Sequence, residues 1–261
     1  MGSAIAGRIK GKYRVFGFDK DEEKIKNLEN KMVIDSAVNL VKNSDVIILA
    51  IKPQDFEPLL SEIKGEVSDK LIISIAAGIS TKKIEDVLGK IKVVRVMPNI
   101  GAIVGEAVSF ICRGSFAESK DLNLAIKLFK LIGYVFVIPE DLMHLATAIG
   151  GSGPGFWGYL YDKKPRKEWD EYASKHFIPE LASVAKDRGF DEKMANKTAQ
   201  SVTFASISTA NALDITPMEL AIKVASKGGT TEAGLEVLKK GGSLADAVQA
   251  ALRRAEELSK G

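Results

Sequence analysis

The order in which short apolar runs and amphipathic stretches follow one another constrains this chain more than any other feature. Residues 13–18, 46–51, 71–75, 93–97, 108–112 and 134–138 read as strands. Helical stretches fall between them at 22–30, 36–42, 56–63, 81–88 and 120–132. Runs such as VIILAI and LIISIA are apolar at nearly every position, as expected of strands covered on both faces. The alternation predicts an α/β unit built on a doubly wound parallel sheet. After Pro139 no strand pattern follows, and 140–150, 177–188, 193–212, 218–224, 232–239 and 244–258 read as helices. The expected organisation is an α/β domain over residues 1–140 and an all-helical domain over 141–261.

One segment interrupts the helical half. KKPRKEWDEYASKHF at 163–177 is charged and contains Pro165, which breaks a helix. It reads as a solvated surface excursion, and Glu168, Glu171 and His176 are not taken as metal ligands. The wider composition excludes several classes. The 261 residues carry 37 basic and 34 acidic side chains, a net +3 that leaves no footprint for nucleic acid. Cys112 is the only cysteine, so neither an internal disulfide nor a cysteine metal cluster can form. No apolar run approaches the length of a membrane span, and the first residues lack a signal-peptide core. A cytoplasmic protein is expected. Scarce glutamine and abundant lysine hint at a thermophile.

The front end is unusual. Open α/β sheets bind nucleotides beyond the carboxyl ends of their strands, where a glycine-rich turn opens a helix whose free N–H groups hold the pyrophosphate. Here MGSAIAGRIKG runs directly into YRVFGF. Ile5 and Ile9, with small Ala4 and Ala6, suit the close-packed helix after such a turn, and Gly2 then stands as its third glycine. Counted from a first glycine placed before Met1, Asp19 falls about twenty residues on, where an acidic residue meets the adenine ribose. A plain N-terminal helix and an ordinary strand-end carboxylate fit these residues equally well.

Five later segments carry chemistry. AIKPQ (50–54) puts Lys52 at a strand's carboxyl edge. SIAAG (74–78) supplies small residues that let backbone approach a flat ligand. RVMPN (95–99) ends another strand with Asn99 at the same edge. GGSGPGFWGY (150–159) allows close backbone contact at the domain junction. SKGGTTEAGLEVL (226–238) is a glycine-rich loop entering an amphipathic helix, with the amides of Gly228 and Gly229 and the hydroxyls of Thr230 and Thr231 arranged for an anion such as a carboxylate. Each has a bland counterpart: a surface lysine, a linker turn, a simple helix cap.

In this order and at these separations the segments resemble the pyrroline-5-carboxylate reductase family over essentially the whole chain. The most specific match is GGTT-x-AGL combined with GSGP in a helical second domain. The resemblance implies a Rossmann-type dinucleotide domain and a helical domain that pairs with a second copy to form a homodimer or an assembly of dimers. It implies NADPH or NADH as cofactor. Gly2 and Ser3 would border the pyrophosphate, and Ala50, Ile51, Lys52, Pro53, Ala76, Ala77 and Asn99 would line the crevice. Ser226, Gly228, Gly229, Thr230 and Thr231 would hold the substrate carboxylate, with Asp214 near the ring nitrogen. Thr231 is the implied catalytic residue, its hydroxyl beside that nitrogen. Asp19 favours NADH, because a carboxylate repels a 2′-phosphate, while Lys20 leaves NADPH open.

The chain departs from the family pattern in places. The family has a strand and two further glycines ahead of Gly2, so this front end reads as cut short. Lys227 replaces a proline, Ile100 and Gly101 replace a threonine and a proline, Ala37 replaces an asparagine, and the 163–177 segment is extra. The implied reaction is reduction of 1-pyrroline-5-carboxylate to proline. Two alternatives remain: a related reductase acting on another imine or a 3-hydroxy acid, and a non-catalytic homologue that keeps the dimer and ligand site.

Overall fold

The computed structural model describes residues 1–25 and 33–260. Helix α1 (Gly2–Ile9) opens the chain, and α2 (Ala37–Lys42) follows, capped by the Ser36 hydroxyl on the Asn39 amide at 3.2 Å. Then come β1 (Val46–Leu49), α3 (Phe56–Ile63), β2 (Leu71–Ser74), α4 (Thr81–Leu88), β3 (Lys92–Met97), β4 (Ala107–Arg113), α5 (Ser119–Phe129) and β5 (Gly133–Val137). The strands form one sheet in the order β1-β2-β3-β4-β5. Helices cover both faces. Ile5 and Ile9 of α1 and Phe129 of α5 pack on Ile73, Val94 and Val96, while Phe56 and Leu60 of α3 and Ile84 of α4 pack with Ile47, Ile72 and Val93 on the other side. The period-two alternation of strands sends neighbours such as Ile72 and Ile73 to opposite cores.

Three expectations change here. First, β4 runs antiparallel to β3, although β1–β2, β2–β3 and β4–β5 are parallel. Residues 98–106 hold only a short 3₁₀ turn (Ile100–Ile103), too little chain for the crossover that a parallel neighbour requires. Second, residues 13–18 do not join the sheet. They make a single bridge, Gly17 with Val33, because no described strand lies alongside to take up their backbone groups. Third, the helix expected at 22–30 shows a 3₁₀ turn at Glu22–Lys24, and its later part lies outside the described residues.

Past β5 the chain is helical: α6 (Met143–Ala146), a π-turn (Thr147–Gly151), α7 (Gly153–Tyr161), α8 (Trp169–Tyr172), α9 (Ile178–Asp187), α10 (Glu192–Leu213), α11 (Pro217–Val224), α12 (Thr230–Lys239) and α13 (Leu244–Lys260). This half packs directly on β4 through Val108, Phe110 and Cys112. The central α10 is lined with small residues. Its buried Thr203, Ser206 and Thr209 satisfy their hydroxyls on the carbonyls one turn back, at 2.6–2.8 Å. The 163–177 segment is not merely a solvated face. Trp169 is buried edge-on to Trp157, Phe177 is buried, and Arg166 reaches across to Asp214. The charges lie outward while every third or fourth residue is aromatic or small, and tertiary packing takes that stripe. No described helix is long and apolar enough to cross a membrane.

Candidate active site

The GSGP and GGTT segments meet. Ser152 precedes α7, Thr230 and Thr231 open α12, and their hydroxyls form one cluster. Thr231 Oγ1 donates to Ser152 Oγ at 3.1 Å, and Ser152 Oγ lies 3.0 Å from Thr230 Oγ1. Both Ser152 and Thr231 are buried. Gly155 permits this approach, since a Cβ there would lie 2.4 Å from Thr231 Cγ2. In the sequence the 150–159 segment reads as a run of small residues and gives the Ser152 hydroxyl no separate role. Its one signal was a serine at a helix start.

The loop before α12 is already ordered by its own contacts. Gly228 has a φ of 71°, its amide donates to Glu232 Oε2 at 2.7 Å, and its carbonyl accepts from Arg254 Nε at 2.8 Å. The Gly229 amide donates to the Ser226 carbonyl at 2.9 Å. The first bond of α12 runs from the Ala233 amide to the Gly229 carbonyl, so the Thr230 and Thr231 amides stand ahead of the helical ladder. Those two amides, backed by the helix dipole, are left free to donate to an anion. Ser226 and Lys227 are exposed at the loop's rim. Asp214 is placed differently from the hydroxyl cluster. It caps α10 in the left-handed region and pairs with Arg166 Nη1 at 2.9 Å, its side chain largely exposed.

The residues expected to line a dinucleotide crevice gather at the sheet's edge. Ala50, Ile51, Lys52 and Pro53 follow β1, Ala76 and Ala77 follow β2, and Asn99 follows β3, three neighbouring parallel strands with their carboxyl ends together. The start of α1 touches this edge, because a Cβ on Gly2 would stand 3.1 Å from the Ala50 Cβ. Met1 gives α1 no side-chain cap, so the first-turn amides from Gly2 and Ser3 onward keep their donors for a phosphate. These residues fit a dinucleotide: free helix-end donors beside an edge of small side chains. Asn99 is buried and already engaged, donating to the Gly150 carbonyl at 3.1 Å and accepting from the Val108 and Gly101 amides at 3.0 and 3.2 Å. It ties the end of β3 to the π-turn that leads to Ser152. Asp19 accepts from the Asp21 amide at 3.0 Å and lies 3.8 Å from Lys24 Nζ.

A second polar joint links the two halves. Arg95, in the middle of β3 and 2% exposed, pairs with Glu140 at 3.3 Å. Glu140 also accepts from the Thr81 amide at 2.8 Å and the Thr81 hydroxyl at 2.6 Å, which anchors α4. Burial holds the nearby His144 below the ordinary histidine value, and the Arg95 charge adds to this. Burial likewise pushes the Cys112 thiol up to about 12, with Glu140 adding to the shift.

Comparison with known proteins agrees with both halves. Residues 1–78 match the family model described as NADP oxidoreductase coenzyme F420-dependent, and residues 174–258 match pyrroline-5-carboxylate reductase dimerisation. The chain is 36% identical to the pyrroline-5-carboxylate reductase of Methanosarcina acetivorans, over 100% of this chain and 95% of that one. It is 32% identical to the Aquifex aeolicus enzyme of the same name, over 100% of this chain and 93% of that one. Among solved structures it resembles the Plasmodium falciparum pyrroline carboxylate reductase with NADP bound, at 27% identity and a TM-score of 0.60, covering 99% of this chain and 94% of the other. Since these relatives align with the chain throughout, they give no support to the expectation that its front end has been cut short. The chain belongs to the pyrroline-5-carboxylate reductase family.

Proposed function

We propose that this chain reduces 1-pyrroline-5-carboxylate to L-proline, using NADPH or NADH, as a homodimer. The full-length relation at 36% identity to a pyrroline-5-carboxylate reductase carries the reading. The meeting of the Ser152 and Thr230–Thr231 hydroxyls beside an open helix terminus supports it. When bound, the reduced nicotinamide supplies a hydride. The chain's own residues bind and orient. The amides of Thr230 and Thr231 hold the substrate carboxylate, and the Gly228 amide joins them where that carboxylate displaces Glu232. Thr231 Oγ1 faces the ring nitrogen. A cyclic imine is readily protonated and its carbon is then electrophilic, so the site needs orientation and exclusion of water more than a strong acid.

At the other end, Gly2 and Ser3 hold the pyrophosphate, and Ala50–Pro53, Ala76 and Ala77 line the crevice. Asn99 acts by fixing the strand end. Asp19 would meet the adenine ribose and Lys20 a 2′-phosphate, so the ratio of KM values for NADH and NADPH reports which one governs. Asp214 reaches a ring nitrogen only by leaving Arg166; unchanged kinetics in Asp214→Asn would remove it from the site. Exposed Phe204, Leu213 and Ile222 lie within the matched dimerisation region and supply an apolar face for the second copy. The deciding experiment is steady-state reduction of 1-pyrroline-5-carboxylate, followed as loss of reduced nicotinamide. No turnover at saturating substrate and cofactor overturns the reading.

A further inference from the structure

Serine at a helix start ordinarily turns its hydroxyl onto an amide of the first turn. Ser152 does not. It precedes α7 with φ −91° and ψ −22°, and its side chain caps no amide of that helix. Its backbone is held by the Thr147 carbonyl at 3.0 Å on one side and by the Gly155 and Phe156 amides, at 2.9 and 3.1 Å, on the other. The hydroxyl instead points across to α12, where it accepts from Thr231 Oγ1 at 3.1 Å and lies 3.0 Å from Thr230 Oγ1. It is fully buried. A buried hydroxyl that gives up its own helix to hold another side chain has a directional role. Thr231 has one hydroxyl hydrogen, and Ser152 takes it. Ser152 Oγ also lies 3.0 Å from Thr230 Oγ1, a pair in which either hydroxyl can donate. What Thr231 has left to offer a ligand is a lone pair.

We propose that Ser152 is a positioning residue that orients Thr231 Oγ1 as a hydrogen-bond acceptor, so that the site selects the protonated, cationic form of the imine substrate and Thr231 does not supply its proton. The inference rests on the functional reading above. The balance closes without a proton from the enzyme. The iminium nitrogen arrives with its proton, and the hydride and its electron pair form the new bond at the imine carbon. The C=N π pair returns to nitrogen, leaving a neutral secondary amine, while the nicotinamide is oxidised by two electrons. Throughout, Thr231 accepts the N–H of the substrate nitrogen. Without Ser152, the Thr231 hydroxyl is free to turn and donate to a neutral imine, and the selection is lost.

The test is a double-mutant cycle of Ser152→Ala and Thr231→Val, with kcat and kcat/KM measured from pH 6 to 9. Thermal melting of every variant at one protein concentration separates folding from function. Expected for Ser152→Ala is a fall in kcat of about tenfold, the size of one lost hydrogen bond to the reacting group. The cofactor KM stays unchanged, and kcat/KM declines less steeply toward high pH than in the wild type. In the Thr231→Val background, adding Ser152→Ala should change little, because the residue it acts through is already gone. A purely structural serine would give additive losses and an unaltered pH profile, and either result overturns the proposal. A wild-type chain that does not turn over 1-pyrroline-5-carboxylate overturns the functional reading and this inference with it. Wild-type turnover with an additive cycle overturns the inference alone.

Discussion

Alanine at position 155 tests how closely catalysis depends on the approach of α7 to α12. Its Cβ would lie 2.4 Å from Thr231 Cγ2, with Val224 Cγ1 next at 3.6 Å. Carbon atoms in good contact are about 3.5–4.0 Å apart, so Thr231 or the start of α12 must retreat by about 1 Å. Overpacking of this kind costs about 1–3 kcal/mol, and alanine recovers about 0.5–1 kcal/mol over glycine inside a helix. The net loss, about 0–2.5 kcal/mol, lowers the melting midpoint by at most about 10 °C in a protein of this size. Turnover is far more sensitive, because a displacement of about 1 Å at a reacting geometry can cost about a hundredfold. The assay is kcat and KM for 1-pyrroline-5-carboxylate at saturating cofactor. A melting curve at the same protein concentration accompanies it, since the dimer couples stability to concentration. The expected outcome is a roughly hundredfold fall in kcat with the KM for 1-pyrroline-5-carboxylate little changed, a pattern of lost transition-state interaction. A folded Gly155→Ala protein with near wild-type kcat would refute the reasoning, for the hydroxyl cluster would then tolerate the shift.

Glu140→Ala strands the buried Arg95 guanidinium, and breaking a buried pair costs about 3–5 kcal/mol. Glu140 retains 31% side-chain exposure, so urea unfolding should place the loss near the lower end, and Arg95→Met in the same chain should restore much of it. His144 binds fewer protons folded than unfolded, because burial lowers its pKa from 6.5. Its contribution to stability is therefore present above the unfolded pKa and lost as pH falls through the lowered folded one. Urea midpoints from pH 7 downward should fall less steeply in His144→Gln. With its thiol pushed up to about 12, Cys112 should resist alkylation at pH 8 in the native protein and react fully in denaturant. Rapid native labelling would show that the helical half lifts off β4.

Much of the fold was legible because it rests on local chemistry. Strand and helix positions from Ser36 onward follow from apolar runs and from caps such as Ser36, Ser80 and Asp191, each of which accepts from the amide three residues on. The two glycine-rich segments were recognisable because backbone that must approach closely admits few other residues. The direction of β4 was open to reading from the short 98–106 connection, and the run of apolar residues masked it.

The α/β-then-helical order, the edge of small residues suited to a dinucleotide, and the anion-ready start of α12 are all written in the local sequence, because each arises within a few residues of chain. Which partner each polar group takes follows from packing across the chain. The Gly228 amide is held by Glu232, Asp214 by Arg166, Arg95 by Glu140, and Thr231 by a serine 79 residues away. A hydrogen bond depends on distance and direction between groups that packing brings together, and neither is encoded in residue spacing along the chain.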